Sequence, residues 1–367
     1  MAKSKRINLA LQGGGAHGAF TWGVLEHLLD DPRFELGTIS ATSAGAINAV
    51  ALAAGLAEGG RAGAKAKLTE VWTAIHQTGV PDFIRLNPLV AGLTSLSRGV
   101  TPMFSPYTFN PMGFDPLRRV LTDHIDFVKV RAAPVELLIA ATEVSTGRAR
   151  HFKRSEMTVD AVLASACLPM LHHAAIVDGK AYWDGGFSAN PALVPLALES
   201  PVHDTLIVLL NALVKPGVPT TAEEIAAETA RLTFNAPLLR DVEIIEAVRE
   251  SASSGLMARF RRQSRLHPLI RHRFHLIEAG RHTSALPAGS KMKPDWGLFT
   301  YLREAGRKEA YKWADGAYRN IGHRSTVDLR TRLLNPPAVE ITPPVPGSPA
   351  GEQQSETEAA PKRAATE

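Results

Sequence analysis

Ser43 stands where a strand-forming run meets a helix-forming run, and its hydroxyl could act as a nucleophile. Residues 38–42 favour a strand, whereas residues 44–53 are mostly small helix formers without a proline. A serine at such a corner projects away from both elements, as in the nucleophile elbow G-x-S-x-G. Here the pattern reads Ala41-Thr42-Ser43-Ala44-Gly45, with alanine in place of the first glycine. Taken alone, the pattern fits an N-cap serine without chemistry equally well.

A glycine-rich loop upstream of this corner could donate hydrogen bonds to an anionic intermediate. The loop follows a strand-forming run at residues 7–11 and reads Gln12-Gly13-Gly14-Gly15-Ala16-His17-Gly18. When a serine attacks an ester, an oxyanion forms, and one donor aimed at it lowers the barrier by about 2.7–4 kcal/mol. We therefore predict an oxyanion hole built from Gly13, Gly14 and Gly15.

Asp184 is the acid whose sequence context best suits a base for Ser43. It lies in Tyr182-Trp183-Asp184-Gly185-Gly186, where aromatic neighbours can exclude water and two glycines allow close backbone approach. An isolated Asp-Gly pair more often closes a turn, which is our interpretation of Asp178-Gly179. Burial beside the aromatic residues would raise the pKa of Asp184. We nevertheless expect an aspartate base to stay active below pH 6, where a histidine base is protonated.

The elements around these residues predict that the glycine loop and Ser43 meet at one edge of a sheet. Residues 19–29 show helical spacing of apolar residues between the strands at 7–11 and 38–42. Two strands joined through a helix form a right-handed parallel crossover, so the loops after them emerge on the same edge. Further strands are predicted at 135–144, 149–152, 176–186, 205–211 and 274–277, and further helices at 157–166, 222–260 and 296–318.

Four motifs in this order resemble those of the patatin-like phospholipases over residues 7–211. They are the glycine loop, the Thr42-Ser43-Ala44-Gly45 elbow, Ala164-Ser165-Ala166-Cys167-Leu168-Pro169, and Asp184-Gly185-Gly186 followed by Asn190-Pro191. The resemblance implies an α/β fold of three α/β/α layers around a mostly parallel central sheet. It also implies a lipid acyl hydrolase that cleaves phospholipids or related acyl esters with Ser43 as nucleophile and Asp184 as base, without cofactor, metal or histidine base.

The same resemblance implies supporting roles around the dyad, for Ala41, Ala44, Gly45, His17, Gly18, Gly185 and Gly186. The chain departs from the family pattern at two of these positions. Ala41 replaces the first elbow glycine, and His17 stands where many members have Arg or Lys. The second departure bears either on how the loop is held or on which head group is favoured.

Two other enzyme or binding classes remain open from the sequence. Gly13-x-Gly15-x-x-Gly18 between a strand and a helix also matches a dinucleotide-binding loop, although no acid follows the second strand to hold a ribose. An α/β-hydrolase with a Ser-His-Asp triad could use one of the histidines downstream of Asp184, although Ser43 comes early for that fold. These histidines are His203, His267, His272 and His275. Adjacent His172 and His173 have no companion ligands and do not predict a metal site.

Composition is that of a globular protein with a sizeable core: 367 residues, 45% hydrophobic and 21% charged. A formal charge of +5 does not require a nucleic acid partner, and we predict none. A single cysteine, Cys167, excludes an intramolecular disulfide and fits a reducing compartment. With no signal-peptide core at the N-terminus, we expect a cytoplasmic protein, and a peripheral location at the inner membrane surface stays open. The oligomeric state is not predicted.

We expect a catalytic core at residues 1–215, a mainly helical extension at 216–335 that completes or covers it, and a disordered tail at 336–367. The apolar, proline-rich segment 79–116 is interpreted as a lid or acyl-chain groove, or as irregular packing on the core. A basic cluster near residues 259–273 predicts peripheral contact with an anionic membrane surface or, equally, ion pairs with acids of the preceding helix. Its cations are Arg259, Arg261, Arg262, Arg265, Arg271 and Arg273, and the acids are Glu243, Glu246 and Glu250.

Overall fold

A mostly parallel sheet forms the centre of the computed structural model, which describes residues 4–78, 105–253 and 265–337. Its order is β5-β6-β3-β2-β1-β7-β8, with β4 also paired to β3. Strands β3, β2, β1, β7 and β8 run parallel, while β4 and β6 pair antiparallel with β3 and β5 pairs antiparallel with β6. The strands are β1 Lys5–Leu11, β2 Phe34–Ala41, β3 Glu136–Glu143, β4 Ala149–Lys153, β5 Ala175–Val177, β6 Lys180–Asp184, β7 Asp204–Leu209 and β8 Arg273–Glu278.

Helices cover both faces of this sheet. They are α1 Gly18–Asp30, α2 Ala44–Gln77, α3 Pro106–Phe109, α4 Pro116–His124, α5 Phe127–Arg131, α6 Val159–Ser165, α7 Leu193–Glu199, α8 Ala222–Ser253, α9 His267–Arg271, α10 Gly280–Thr283 and α11 Trp296–Ala317. A break at Gly59 and Gly60, whose dihedrals are not helical, divides α2 into two helical segments. A short π-helical turn, Arg330–Leu334, follows α11. None of the helices in the described ranges is long and apolar enough to cross a membrane.

Alternating side chains of the central strands pack into two separate hydrophobic cores, one on each face of the sheet. Leu9 and Leu11 of β1 join the cluster that contains α1, α2 and α11, whereas Ala10 joins the cluster that contains α7, α8 and α9. Ile207 and Leu209 of β7 lie on the same side as Ala10. Because strand side chains alternate between faces, this division means that helices pack on both sides. The predicted fold of three α/β/α layers with a mostly parallel central sheet is confirmed.

The C-terminal extension contributes to both the sheet and the helical layers. Strand β8 pairs with β7, and α11 packs on α1. At this crossing, Gly23 of α1 and Gly306 of α11 bring the two backbones together: a Cβ at Gly23 would lie 1.9 Å from Arg303 O. Glu26, which is buried on α1, accepts hydrogen bonds from Arg303 and Arg307. The proposed division of the chain at residue 215 stays a prediction.

Part of the basic cluster is committed to internal contacts. Arg273 forms an ion pair with Asp204, because β7 and β8 place these two residues opposite each other. Leu269, an apolar member of the cluster, is fully buried. These two residues therefore do not belong to a membrane-facing surface. Residues 254–264, most of the lid segment (79–104) and residues 338–367 of the tail lie outside the described residues.

Adding a methyl group at the α1–α11 crossing should destabilise the protein. Gly23→Ala and Gly306→Ala would place a Cβ 1.9 and 2.0 Å from backbone oxygens of the facing helix. We expect each change to lower the free energy of unfolding by about 1–3 kcal/mol. Gly316→Ala is the matched control, since Gly316 lies in the same helix with nothing near its Cβ position. It should be neutral or stabilising by up to about 1 kcal/mol. Equal effects of the three changes in thermal or denaturant melts would contradict this packing.

Candidate active site

Ser43 occupies the corner between β2 and α2 with a strained backbone. Its φ of 55° and ψ of −123° are unusual for a residue with a side chain. The Ser43 carbonyl accepts hydrogen bonds from Ala46 and Ile47, which starts α2, while its N–H donates to Ser165 Oγ at 2.9 Å. Gly45 is needed at this corner, because a Cβ there would lie 2.4 Å from Leu11 O. Ser43 therefore lies at the strand-to-helix corner where the sequence placed it, between β2 and α2.

The register of β6 brings Asp184 to this corner. Strand β2 pairs with β3 only as far as Ile139, and β6 pairs with the continuation of β3, where Asp184 lies opposite Ala141. Asp184 therefore lies just beyond the end of β2, beside the continuation of β3. A Cβ at Gly185 would lie 2.2 Å from Ala140 O and 2.9 Å from the Thr42 side chain. Only glycine permits this close approach of the two backbones.

The Asp184 carboxylate is fully buried and only half satisfied by hydrogen bonds. Its Oδ1 accepts the Gly186 N–H at 2.7 Å, whereas Oδ2 has no regular hydrogen bond to any described residue. Burial raises the pKa of Asp184 from 3.8 to about 7, with the Gly186 bond and the nearby Ser43 hydroxyl lowering it in part. A carboxyl with this pKa is largely protonated below pH 6. The expectation that activity persists below pH 6 is therefore not supported.

The three loop glycines differ in what their N–H groups do. The Gly13 N–H donates to Asn190 Oδ1 at 2.7 Å, so it is not available to an oxyanion in this arrangement. Within the described ranges, the N–H groups of Gly14 and Gly15 donate to no protein acceptor. Gly13 also lies against Ser43, since a Cβ there would be 2.7 Å from Ser43 Cβ. Two of the three predicted donors thus remain candidates.

Asn190 and Ser165 are positioning residues to which the sequence assigned no role. Asn190 links the glycine loop to α8, because its Nδ2 donates to Phe234 O at 3.0 Å while Oδ1 holds Gly13. Ser165 is fully buried at the end of α6 and holds the Ser43 N–H. Both residues lie in the quoted motifs, so a polar side chain within a small-residue run was the available signal.

His17 and Gly18 complete the supporting set. The buried His17 ring forms a hydrogen bond through Nε2 to Ser290 Oγ at 2.8 Å. Burial, and then the charge of Lys291, lower the pKa of His17 to about 4, so the ring is neutral at physiological pH. A Cβ at Gly18 would lie 2.7 Å from Ala44 Cβ, so these small residues let α1 and α2 approach. Ala41 is fully buried and needs no positive φ.

A cavity of about 310 Å³ lies beside Ser43 and the glycine loop. Ser43, Asp184 and the three loop glycines form one part of its wall. The rest of the wall includes Leu168, Leu210 and Asn211. From the C-terminal extension it includes the apolar Phe234, Leu286 and Met292 and the basic Arg231 and Lys291. The site thus combines a serine, a buried carboxylate with a raised pKa, free backbone donors and an apolar wall. This arrangement suits attack on an ester that carries an apolar chain.

The candidate histidines of a triad lie at the other end of the sheet. His203 precedes β7, His272 precedes β8, and His275 Nε2 lies 3.2 Å from Oδ1 of Asp204, the first residue of β7. Ser43 follows the carboxyl end of β2, whereas these histidines lie near the amino ends of β7 and β8. Because the strands are parallel, these are opposite ends of the sheet. A strand the length of β7 spans roughly 20 Å, too far for a proton transfer. Across the described residues, no group of three or more His, Cys, Asp or Glu could hold a metal ion.

Comparison with known proteins points to one family. Residues 9–197, which contain Ser43, Asp184 and the glycine loop, match the family model described as patatin-like phospholipase. The crystal structure of VipD from Legionella pneumophila is similar over 85% of this chain and 67% of that chain, at 14% sequence identity and a TM-score of 0.38. That likeness is too distant to support any statement about the site. No curated protein sequence matches the chain.

Neutralising Asp184 should stabilise the fold, increasingly so as the pH rises. The folded state keeps the carboxyl protonated up to about pH 7, whereas the unfolded chain loses the proton above about pH 3.9. Between these values the unfolded state binds fewer protons, so this group destabilises the fold progressively as the pH increases. We expect Asp184→Asn to melt at a higher temperature than wild type, with a difference that grows from pH 4 to 7 and then levels off.

The gain at pH 8 should be roughly 2–4 kcal/mol in the free energy of unfolding. Asp178→Asn, at an aspartate of an exposed turn, provides the control and should show no such growth. A less stable Asp184→Asn protein at pH 8, or a difference independent of pH, would refute the raised pKa.

Proposed function

The chain belongs to the patatin-like phospholipase family of lipid acyl hydrolases, and we propose that Ser43 and Asp184 form its catalytic dyad. The substrates are phospholipids or related lipids, cleaved at an acyl ester bond. One observation carries the proposal: the buried Asp184 carboxylate, with a pKa of about 7 and an unbonded Oδ2, adjoins the Ser43 hydroxyl in the cavity.

In the first half of the reaction, Asp184 acts as base and then as acid. The carboxylate takes the proton of Ser43 as Oγ attacks the ester carbonyl carbon, and a tetrahedral intermediate forms. The N–H groups of Gly14 and Gly15 donate to its oxyanion. Collapse of the intermediate breaks the ester bond, and the protonated Asp184 returns the proton to the departing alcohol oxygen. The acyl group stays on Ser43.

Water completes the cycle. Asp184, now a carboxylate again, takes a proton from a water molecule that attacks the acyl carbonyl. The second tetrahedral intermediate uses the same two backbone donors, and as it collapses the protonated Asp184 returns the proton to Ser43 Oγ, which releases the fatty acid and restores both residues. One ester and one water thus give a free fatty acid and the alcohol part of the lipid, and atoms and charges balance.

The raised pKa gives the dyad the basicity that an ordinary aspartate lacks. At neutral pH an aspartate with a pKa of about 3.9 is weaker than a histidine base by about 3.5 kcal/mol. A pKa of about 7 removes this deficit, since Asp184 then equals an imidazole in proton affinity. Gly186 fixes Oδ1 and leaves Oδ2 for the proton of Ser43.

The two alternative classes have less support. A triad would need a histidine near Ser43, but His203, His272 and His275 lie at the opposite edge of the sheet. A dinucleotide-binding loop would need an acid after β2, where the chain instead places the elbow. The lid role of residues 79–116 stays a prediction. The described residues of this segment do not line the cavity that holds Ser43.

An alkyl fluorophosphonate should label Ser43, and loss of either dyad member should abolish turnover. Peptide mapping should find the label on Ser43 in wild type and none on that peptide in Ser43→Ala. Ser43→Ala and Asp184→Asn should each lower kcat by about 10³-fold or more with the fold preserved.

Two variants serve as controls. Ser284 lines the same cavity away from Asp184, and Ser284→Ala should still be labelled on Ser43. His203→Gln should keep substantial activity, since His203 lies at the distant edge. A His203→Gln protein as inactive as Ser43→Ala, or a label on another serine, would contradict the dyad.

A further inference from the structure

The candidate active-site cavity carries a cation that pairs with no carboxylate of the described residues. Lys291 lines the cavity together with Ser43 and Asp184. Its Nζ donates to the Asn211 side chain, and no carboxylate of the described residues lies within ion-pair distance. An ammonium has three donors, so two remain unused by the part of the chain that the structure describes. A half-buried cation without a counter-charge is costly unless a ligand supplies one.

The neighbouring charged residues of the cavity do not neutralise Lys291. Arg231 is paired with Glu228 at the same wall, and it also donates to the carbonyls of Ala212 and Leu213. His17 is neutral, as its low pKa indicates. Burial, and then the charge of Arg231, lower the pKa of Lys291 to about 8, which still leaves it mostly protonated at pH 7. With Arg231 paired and His17 neutral, Lys291 keeps its positive charge at this wall of the cavity, which Lys215 also lines.

The backbone fixes Lys291 beside the glycine loop. Gly15 packs against its carbonyl so closely that a Cβ on Gly15 would lie 2.4 Å from Lys291 O. The preceding residue, Ser290, is bonded to His17 of the loop at 2.8 Å. The Lys291 backbone is therefore held against the glycine loop, and its ammonium is held by Asn211 in the cavity that Ser43 also lines, although Lys291 comes from the C-terminal extension.

We propose that Lys291 binds the phosphate of a phospholipid substrate and makes the enzyme favour phosphate-bearing esters over uncharged esters. This inference rests on the proposed function. In a glycerophospholipid the phosphate is a few bonds from the scissile ester, and the cavity of about 310 Å³ is within the range of small-molecule sites. Phosphate oxygens would accept hydrogen bonds from the two unused N–H groups of the Lys291 ammonium. These bonds would be charge-assisted. Lys291 is thus a specificity-determining residue.

The test compares two substrates that differ only in the phosphate head group. One is a short-chain diacyl phosphatidylglycerol, used below its critical micelle concentration so that no charged surface forms. The other is the diacylglycerol with the same acyl chains. The proteins are wild type, Lys291→Met, Lys291→Arg and Lys293→Met, an exposed lysine two residues away that serves as control. The measured quantities are kcat and KM for each substrate and the rate of fluorophosphonate labelling of Ser43.

We expect Lys291→Met to lower the phosphatidylglycerol-to-diacylglycerol ratio of kcat/KM by about 10- to 100-fold, mainly through a higher KM for phosphatidylglycerol. Lys291→Arg should restore most of the ratio, and Lys293→Met should keep it. Labelling of Ser43 in Lys291→Met would show that the site is intact. Inorganic phosphate should not stimulate diacylglycerol hydrolysis by wild type, because the site is for a tethered phosphate.

Three outcomes would overturn the inference but leave the proposed function standing. An unchanged ratio in Lys291→Met would show that the phosphate does not reach Lys291. Equal losses of kcat/KM on both substrates would mean that Lys291 supports the glycine loop or the oxyanion instead. Stimulation of diacylglycerol hydrolysis by inorganic phosphate would indicate a site for a free anion. A labelled wild type that hydrolyses neither ester would reject the proposed function itself, and this inference with it.

Discussion

The desolvation of one carboxylate is the constraint on which the active site depends. Asp184 has no exposed surface, and the chain reaches this state by closing glycine backbone around it: a Cβ at Gly185 or Gly186 would collide with Ala140 O or the Phe234 ring. Removing water from the acid raises its pKa to about 7, and in the proposed dyad this would make a weak base adequate at neutral pH. The same burial destabilises the ionised form of the folded protein, which the large core on both faces of the sheet offsets.

Topology brings the reacting groups together at one edge of the sheet. Parallel β1 and β2 deliver the glycine loop and Ser43 to their carboxyl ends, and antiparallel β6 continues where β2 stops pairing with β3. The C-terminal extension then fixes the loop from outside. Asn190 and Gln12 tie it to α8, and His17 ties it to the turn that carries Lys291. The extension is therefore part of the site as well as of the fold.

Much of the site could be predicted from the sequence because its signals are local. A small-residue corner predicts the position of Ser43, and an acid followed by two glycines predicts Asp184. Contacts between distant residues gave no such signal: Gly13 and its partner Asn190 are 177 residues apart, and Lys291 reaches the loop only through tertiary packing. The sequence indicated that burial would raise the pKa of Asp184, but the size of the shift depends on full desolvation by the folded chain, so the expected activity below pH 6 assumed too small a shift. Most of the lid segment lies outside the described residues.

The most direct measurement is the titration of the Asp184 carboxyl by pH-difference infrared spectroscopy, with Asp184→Asn as the subtracted reference. It is followed in parallel with kcat/KM on an uncharged ester. If Asp184 is the base, its carboxyl stretch and the acidic limb of the rate profile should share one midpoint near pH 7. A carboxyl that ionises near pH 4 while the rate falls around pH 7 would contradict the account, because another group would then be removing the proton from Ser43.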